Sequence, residues 1–179
     1  MKALIISALV VVVVLGGYLW YTGNSLAGME VYKNPTYGIS FKYSDTYELG
    51  EREVGNGERY QYAILLADKE LLANLPDASE GPPTITIQIF QNDIDKLGIE
   101  NWVKNSSYSN YKLSPDGVLD SMTVAGAETL HYTWDGLYRG ESYVFANRDN
   151  IVMMSVTYLS QEDQIRKDFA KLISSLSLY

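Results

Sequence analysis

The chain has 179 residues, no cysteine, one histidine and 22 acidic against 14 basic residues, a formal net charge of −8. No disulfide and no zinc site of the usual nitrogen and sulfur kind can be built from that inventory. The acidic balance repels phosphate backbones and so excludes nucleic acid as a partner.

The first element is Ala3–Tyr21, an uncharged stretch that holds the valine run Val10–Val14. As a helix rising roughly 1.5 Å per residue it reaches about 28 Å, close to the roughly 30 Å of a bilayer's hydrocarbon core. The pattern therefore predicts a membrane-spanning helix. Lys2 is the only basic side chain before it, which orients the N-terminus to the cytoplasm and everything from Thr22 onward outward, to the periplasm or cell surface. Tyr18, Trp20 and Tyr21 stand where an interfacial aromatic belt would hold it. The same residues also admit a signal peptide cut after Ser25-Leu26-Ala27, which would leave a secreted chain starting at Gly28. The apolar run exceeds the roughly 7–15 residues of a signal core, which favours retention. Since no cysteine follows the run, an acylated cysteine at a cleaved N-terminus is excluded.

Residues 1–27 thus form an anchor and short spacer, and residues 28–179 one domain by length. That domain carries every acidic residue and all but one of the basic ones, for a net charge of −9. Its 13 tyrosines suit half-buried strands and protein interfaces, because the ring is apolar and its tip is wet.

Within the domain, Glu30–Lys33 is predicted as a strand, 34–38 as a Pro-Gly turn, and Ile39–Tyr43 as a strand with Ile39, Phe41 and Tyr43 inward. Tyr47–Val54 and Arg59–Ala67 flank Gly55-Asn56-Gly57 as a hairpin. The second of these strands is apolar on both faces, which predicts packing on both sides of it. A loop over Pro76–Pro83 leads to a strand at Thr84–Phe90 with Ile85, Ile87 and Ile89 inward. Ile99, Trp102 and Val103 share one face of a short helix over Ile99–Asn105. Ser106–Asp116 reads as a loop. Three strands follow: Leu119–Trp134 with a break near Gly126, Tyr138–Ala146 and Ile151–Leu159. Ser160 as N-cap with Asp163 three residues on opens a final helix, whose apolar stripe is Ile165, Phe169, Leu172, Ile173 and Leu176. These elements define an α+β class, an antiparallel β-sheet flanked by helices.

Three stretches resemble the PsbP/Mog1-like superfamily. Tyr32 to Asp45 is similar to its opening hairpin, Val124-Ala125-Gly126-Ala127-Glu128 to its mid-domain turn, and Phe169 to Leu178 to its closing helix. Ser44 stands where that family usually has Pro, and Tyr47 where it has Trp. The resemblance implies an α-β-α sandwich that serves as a protein-binding or assembly-assisting module. Known members attach to photosystem II or to a small GTPase.

A search for catalytic chemistry finds little. His131 falls with Thr129 and Thr133 on the face opposite Leu130, Tyr132 and Trp134; no nucleophile or orienting carboxylate can be assigned to it, and it is expected to be a solvated strand residue. Asp93-Ile94-Asp95 begins like a calcium loop but has Leu97 at position five and Lys104 at twelve, which leaves at most weak calcium binding and favours a turn. Ser109-Asn110-Tyr111-Lys112 matches Ser-x-x-Lys by letter, without the downstream element that pattern needs. Glu48, Glu51, Glu53 and Glu58 read as charges guarding a sheet edge. No catalytic residue, metal ligand or cofactor is assigned.

Tyr108 and Tyr111, two aromatics in a polar loop, are the candidate partner-binding residues. The expected function is a membrane-anchored, extracytoplasmic protein-binding module, not an enzyme. A small-ligand carrier or sensor with a pocket near Trp102 or Trp134 is the alternative, and a hydrolase using Asp93 and Asp95 is the least supported.

Overall fold

The computed structural model describes residues 28–55, 60–76, 80–93 and 95–179. The predicted anchor, residues 3–21, lies outside the described residues, as do residues 56–59 after Gly55. Among the described residues, no helix is long and apolar enough to cross a membrane.

The element order is β1 (Met29–Asn34), β2 (Ile39–Ser44), β3 (Tyr47–Val54), β4 (Gln61–Asp68), α1 (Lys69–Ala73), β5 (Thr84–Gln91), α2 (Ile99–Asn105), a 3₁₀ turn (Tyr111–Leu113), β6 (Asp120–Val124), β7 (Ala127–Asp135), β8 (Arg139–Asn147), β9 (Asn150–Tyr158), α3 (Gln164–Ser174) and β10 (Ser177–Leu178). Seven strands form one sheet in the order β3-β4-β5-β9-β8-β7-β6, with every pairing antiparallel. The mixed α/β class with antiparallel sheets agrees with the expectation, and a second sheet, β1-β2-β10, adds to it.

Alternation decides which side chains meet. Ile64, Ile87 and Met154 lie in register across β4, β5 and β9, and so share one face. There they join Phe145, Phe169 and Leu172 and the inward row Ile39, Phe41 and Tyr43 of the second sheet in a single core. The two sheets are also joined by hydrogen bonds: Tyr32 Oη and Tyr62 Oη both donate to Glu51 Oε1, at 2.5 and 2.6 Å. Glu51, read as an edge guard, is therefore a bridge. Its carboxyl is held below the usual range by the Tyr32 and Tyr62 hydroxyls. On the opposite face, Leu130, Tyr132, Trp134, Val144 and Met153 pack against Trp102 and Val103 of α2.

Gly38 closes the β1–β2 turn at φ +62°, and a Cβ there would sit 2.3 Å from the Tyr179 carbonyl oxygen. Only glycine tolerates both that backbone and that approach. The C-terminus is pinned at this point, with Tyr179 N donating to Gly38 O and Arg148 Nη2 to Tyr179 O.

Several expectations are corrected. β4 lies one strand in from an edge, and its second face is covered only in part: Ala67 is buried there, while Leu65 is 43% exposed. Two sheet neighbours supply its hydrogen bonds, so position in the order did not require a complete second covering layer. The break expected near Gly126 is present as a hairpin turn, made by Ala125 (φ +50°) and Gly126 (φ +84°), and it divides 119–134 into two separate strands. The short helix α1 follows directly on β4, in a stretch to which the sequence assigned no element; Asp68 caps it by accepting from the Glu70 and Leu71 amides. At α3 the boundary residue is Asp163, whose carboxylate accepts from the Leu159 and Ser160 amides; Ser160 does not cap the helix.

Candidate functional site

Three concave or charged places stand out on this scaffold. The largest is an open groove of about 1080 Å³ between the β2–β3 corner and α3, starting at Gly28 and Met29. Several of its polar groups are already paired. Asp168 accepts from Tyr47 Oη, Gln164 Nε2 and Lys171 Nζ, Asp163 from two amides, and Asp68 caps α1.

The second place is built around His131. Its ring lies between two carboxylates, with Nδ1 3.6 Å from Asp120 Oδ2 on β6 and Nε2 3.7 Å from Glu141 Oε2 on β8. Arg166 of α3 reaches the same Glu141 oxygen at 3.2 Å and sets its guanidinium 5.4 Å from the Tyr158 ring centre. The Tyr143 ring covers the imidazole, centre to centre 4.6 Å. Strand pairing puts His131 opposite Asp120 and Tyr143, and so explains the convergence. The expectation of a solvated histidine is corrected: its side chain is only 17% exposed. Burial works to raise the Glu141 pKa, but the neighbouring His131 and Arg166 outweigh it and hold the carboxyl below its ordinary value. Glu141 and Arg166 were missed in the sequence because their partners come from three distant elements. The nearby Thr129 hydroxyl donates to the Ala127 carbonyl rather than to the imidazole. The cluster ties β6, β7, β8 and α3 together and holds a charge pair inside the fold.

The third place is a cavity of about 340 Å³ at the end of the sheet where β5 meets α2. Its size falls within the roughly 300–1,000 Å³ of ligand pockets. Phe90 of β5 packs on Trp102 of α2 at 4.8 Å and on Tyr108 at 5.2 Å between ring centres. Ile99, Trp102 and Val103 recur at helical spacing, which turns Trp102 onto the sheet, and the C-terminal end of α2 delivers Tyr108 beside it. Asp93, Asp95, Gln91 and Asn105 stand on the rim and Gln61 behind it.

The two predicted partner-binding tyrosines part company here. Tyr108 is 56% exposed although one side touches Phe90. Tyr111 turns inward, edge-on to Tyr132 at 5.4 Å, and its hydroxyl donates to the Gly117 carbonyl. Ser109 is fully buried and its hydroxyl donates to the Val103 and Ser106 carbonyls, so the Ser-x-x-Lys letters carry a structural role. Asp93 accepts from Gln91 Nε2, and no cluster of three or more metal-ligating side chains occurs among the described residues.

These features define the class: an α+β sandwich with a PsbP-like fold, in which one aromatic residue is left standing at a pocket. The solution structure of the cyanobacterial PsbP (CyanoP) from Synechocystis is similar to it with a TM-score of 0.57, covering 86% of this chain and 94% of that one at 12% identity. A crystal structure from Bacteroides thetaiotaomicron is similar at a TM-score of 0.44 and 13% identity, with 84% of this chain matched to 48% of that one. No family model matches the chain, and no curated protein matches it in sequence.

Proposed function

We propose that this chain is a membrane-anchored, extracytoplasmic module that binds a protein partner and performs no catalysis. The domain spans residues 28–179, and residues 3–21 anchor it, with Lys2 inside; cleavage after Ala27 would release the same domain. The observation that carries the reading is Tyr108, an exposed ring backed by the rigid Phe90–Trp102 pair. A pre-ordered aromatic that loses little freedom on contact is what interface hot spots are made of. The PsbP-like fold supports an accessory, non-catalytic role, and Tyr111 belongs to the scaffold beneath the contact.

The test is a photo-crosslinking amino acid placed at position 108 of the full chain in native membranes. One recurring cross-linked protein is expected from position 108 and none from the control position Leu65. Cross-links from both positions alike, or from neither, would overturn the reading. A small-ligand carrier is the second reading, favoured by the cavity at Trp102.

A further inference from the structure

We infer that His131 is a proton-operated clasp on the edge strand β6: the protonated imidazole pairs with Asp120, and loss of that proton loosens β6 from β7.

The clasp is built by strand register. His131 stands directly opposite Asp120 in the β6–β7 pairing, and its two ring nitrogens face carboxylates on different strands, Asp120 on β6 and Glu141 on β8. A neutral imidazole has one N–H and donates to only one of them. Glu141 is the buried one, its side chain 7% exposed against 62% for Asp120, so leaving it short of a donor costs more. Nε2 is itself buried and makes no hydrogen bond among the described residues. It therefore keeps the single proton of the neutral ring and turns it toward Glu141. Nδ1 is then left with a lone pair facing Asp120 Oδ2 at 3.6 Å, a repulsive contact between β7 and β6. A second proton, on Nδ1, makes the same contact attractive.

The groups facing the ring come from every element packed on it. Asp120 of β6 and Glu141 of β8 stand against one guanidinium, Arg166 of α3, which leaves one negative charge in excess for an imidazolium to cancel. Tyr143 of β8 presents its ring 4.6 Å away, and burial raises its hydroxyl, which stays uncharged. Tyr158 of β9 lies behind, beside the Arg166 guanidinium. No Lys or Arg of the described residues pairs with Asp120, so His131 is the one cation that can hold it. β6 is also the strand most open to such control. It is five residues long, ends the strand order and pairs with β7 alone. Opposite charges directly across two strands stabilise the pairing, and here the closed strand is the form that gains from the proton. β6 is therefore firm below the imidazole's titration and loosens as pH rises through it.

The experiment uses the full chain in detergent micelles, followed by NMR. His131 is the one histidine of the chain, so its Cε1–H signal reports the imidazole directly. Protection of the β6 amides against hydrogen exchange is corrected for the intrinsic effect of pH and divided by that of Ile64 and Ile87 in the core. The ratio should fall about threefold between about pH 5 and about pH 8, either side of the ordinary imidazole value of about 6.5. The fall should track the Cε1–H titration. Asp120→Asn changes an exposed side chain, keeps the fold, and should abolish the fall while His131 still titrates. A ratio that stays flat or rises with pH, a fall that does not follow the imidazole, or a fall that persists in Asp120→Asn would overturn the inference.

Discussion

On one side of the seven-stranded sheet, Ile64, Ile87, Met154 and Phe145 meet Phe169, Leu172 and the inward row of a second sheet. On the other, Leu130, Tyr132 and Trp134 meet α2 and the loop after it, while Leu65 of β4 faces solvent. The first side is closed by a helix and three strands; the second is covered over only part of its width. The closed side therefore holds most of the apolar burial that stabilises the fold. The half-covered side can vary at its margin without exposing the main core, and the cavity and Tyr108 lie at that margin.

The sharpest break of this contrast is Phe169→Ala. It empties the centre of the closed side and should cost about 3–5 kcal/mol, read as a shift in the denaturant midpoint. Gly140→Ala tests the inner part of the opposite face. The added Cβ would lie 2.3 Å from the Trp134 ring, and displacing that buried indole should cost about 1–3 kcal/mol in the same assay. Tyr108→Ala should cost about 1 kcal/mol of stability, the worth of one aromatic pair, yet abolish the partner contact. Leu65→Ser, on the open half, should lie within about 0.5 kcal/mol of the parent. A large loss at Leu65 would mean that something covers that half after all.

Two pH limbs sharpen the same comparison, since both report on groups on the closed side. The Glu141 carboxyl is lower in the folded protein than in the unfolded chain, so its stabilisation is present above the ordinary carboxylate range. It is lost as pH falls through the folded value, and Glu141→Gln should flatten that acid limb in pH-dependent unfolding. Tyr43 behaves oppositely. Burial, and then its hydrogen bond to Glu30, push its hydroxyl up to about 12. Its contribution is full below about pH 10, where the unfolded phenol titrates, and fades as pH rises toward the folded value. Tyr43→Phe should shift the alkaline unfolding limb upward, measured in the same way.

Much of this was legible in the chain. The Ile85-Ile87-Ile89 alternation, the Ile99, Trp102 and Val103 spacing and the stripe on α3 all named the faces that became buried. The three short stretches that resemble the PsbP/Mog1-like superfamily pointed to the fold that the structure has. The site was harder to read. Tyr108 and Tyr111 sit three residues apart in one polar loop, and nothing local separates the ring that packs on Tyr132 from the ring left in solvent. Asp93 and Asp95 looked like a failed calcium loop, because the aromatic walls they share come from β5, α2 and the loop beyond.

By itself the sequence determined the period of each element, the sign of the surface and the poverty of metal and nucleophile chemistry, since these depend on residue type and local spacing. Only the tertiary structure decided that His131 sits between Asp120 and Glu141, that Leu65 of β4 is left in solvent, and that Gln61 lines a cavity. Those outcomes depend on strand order and register. Register is set by the packing of side chains far apart in the chain, so no local pattern encodes it.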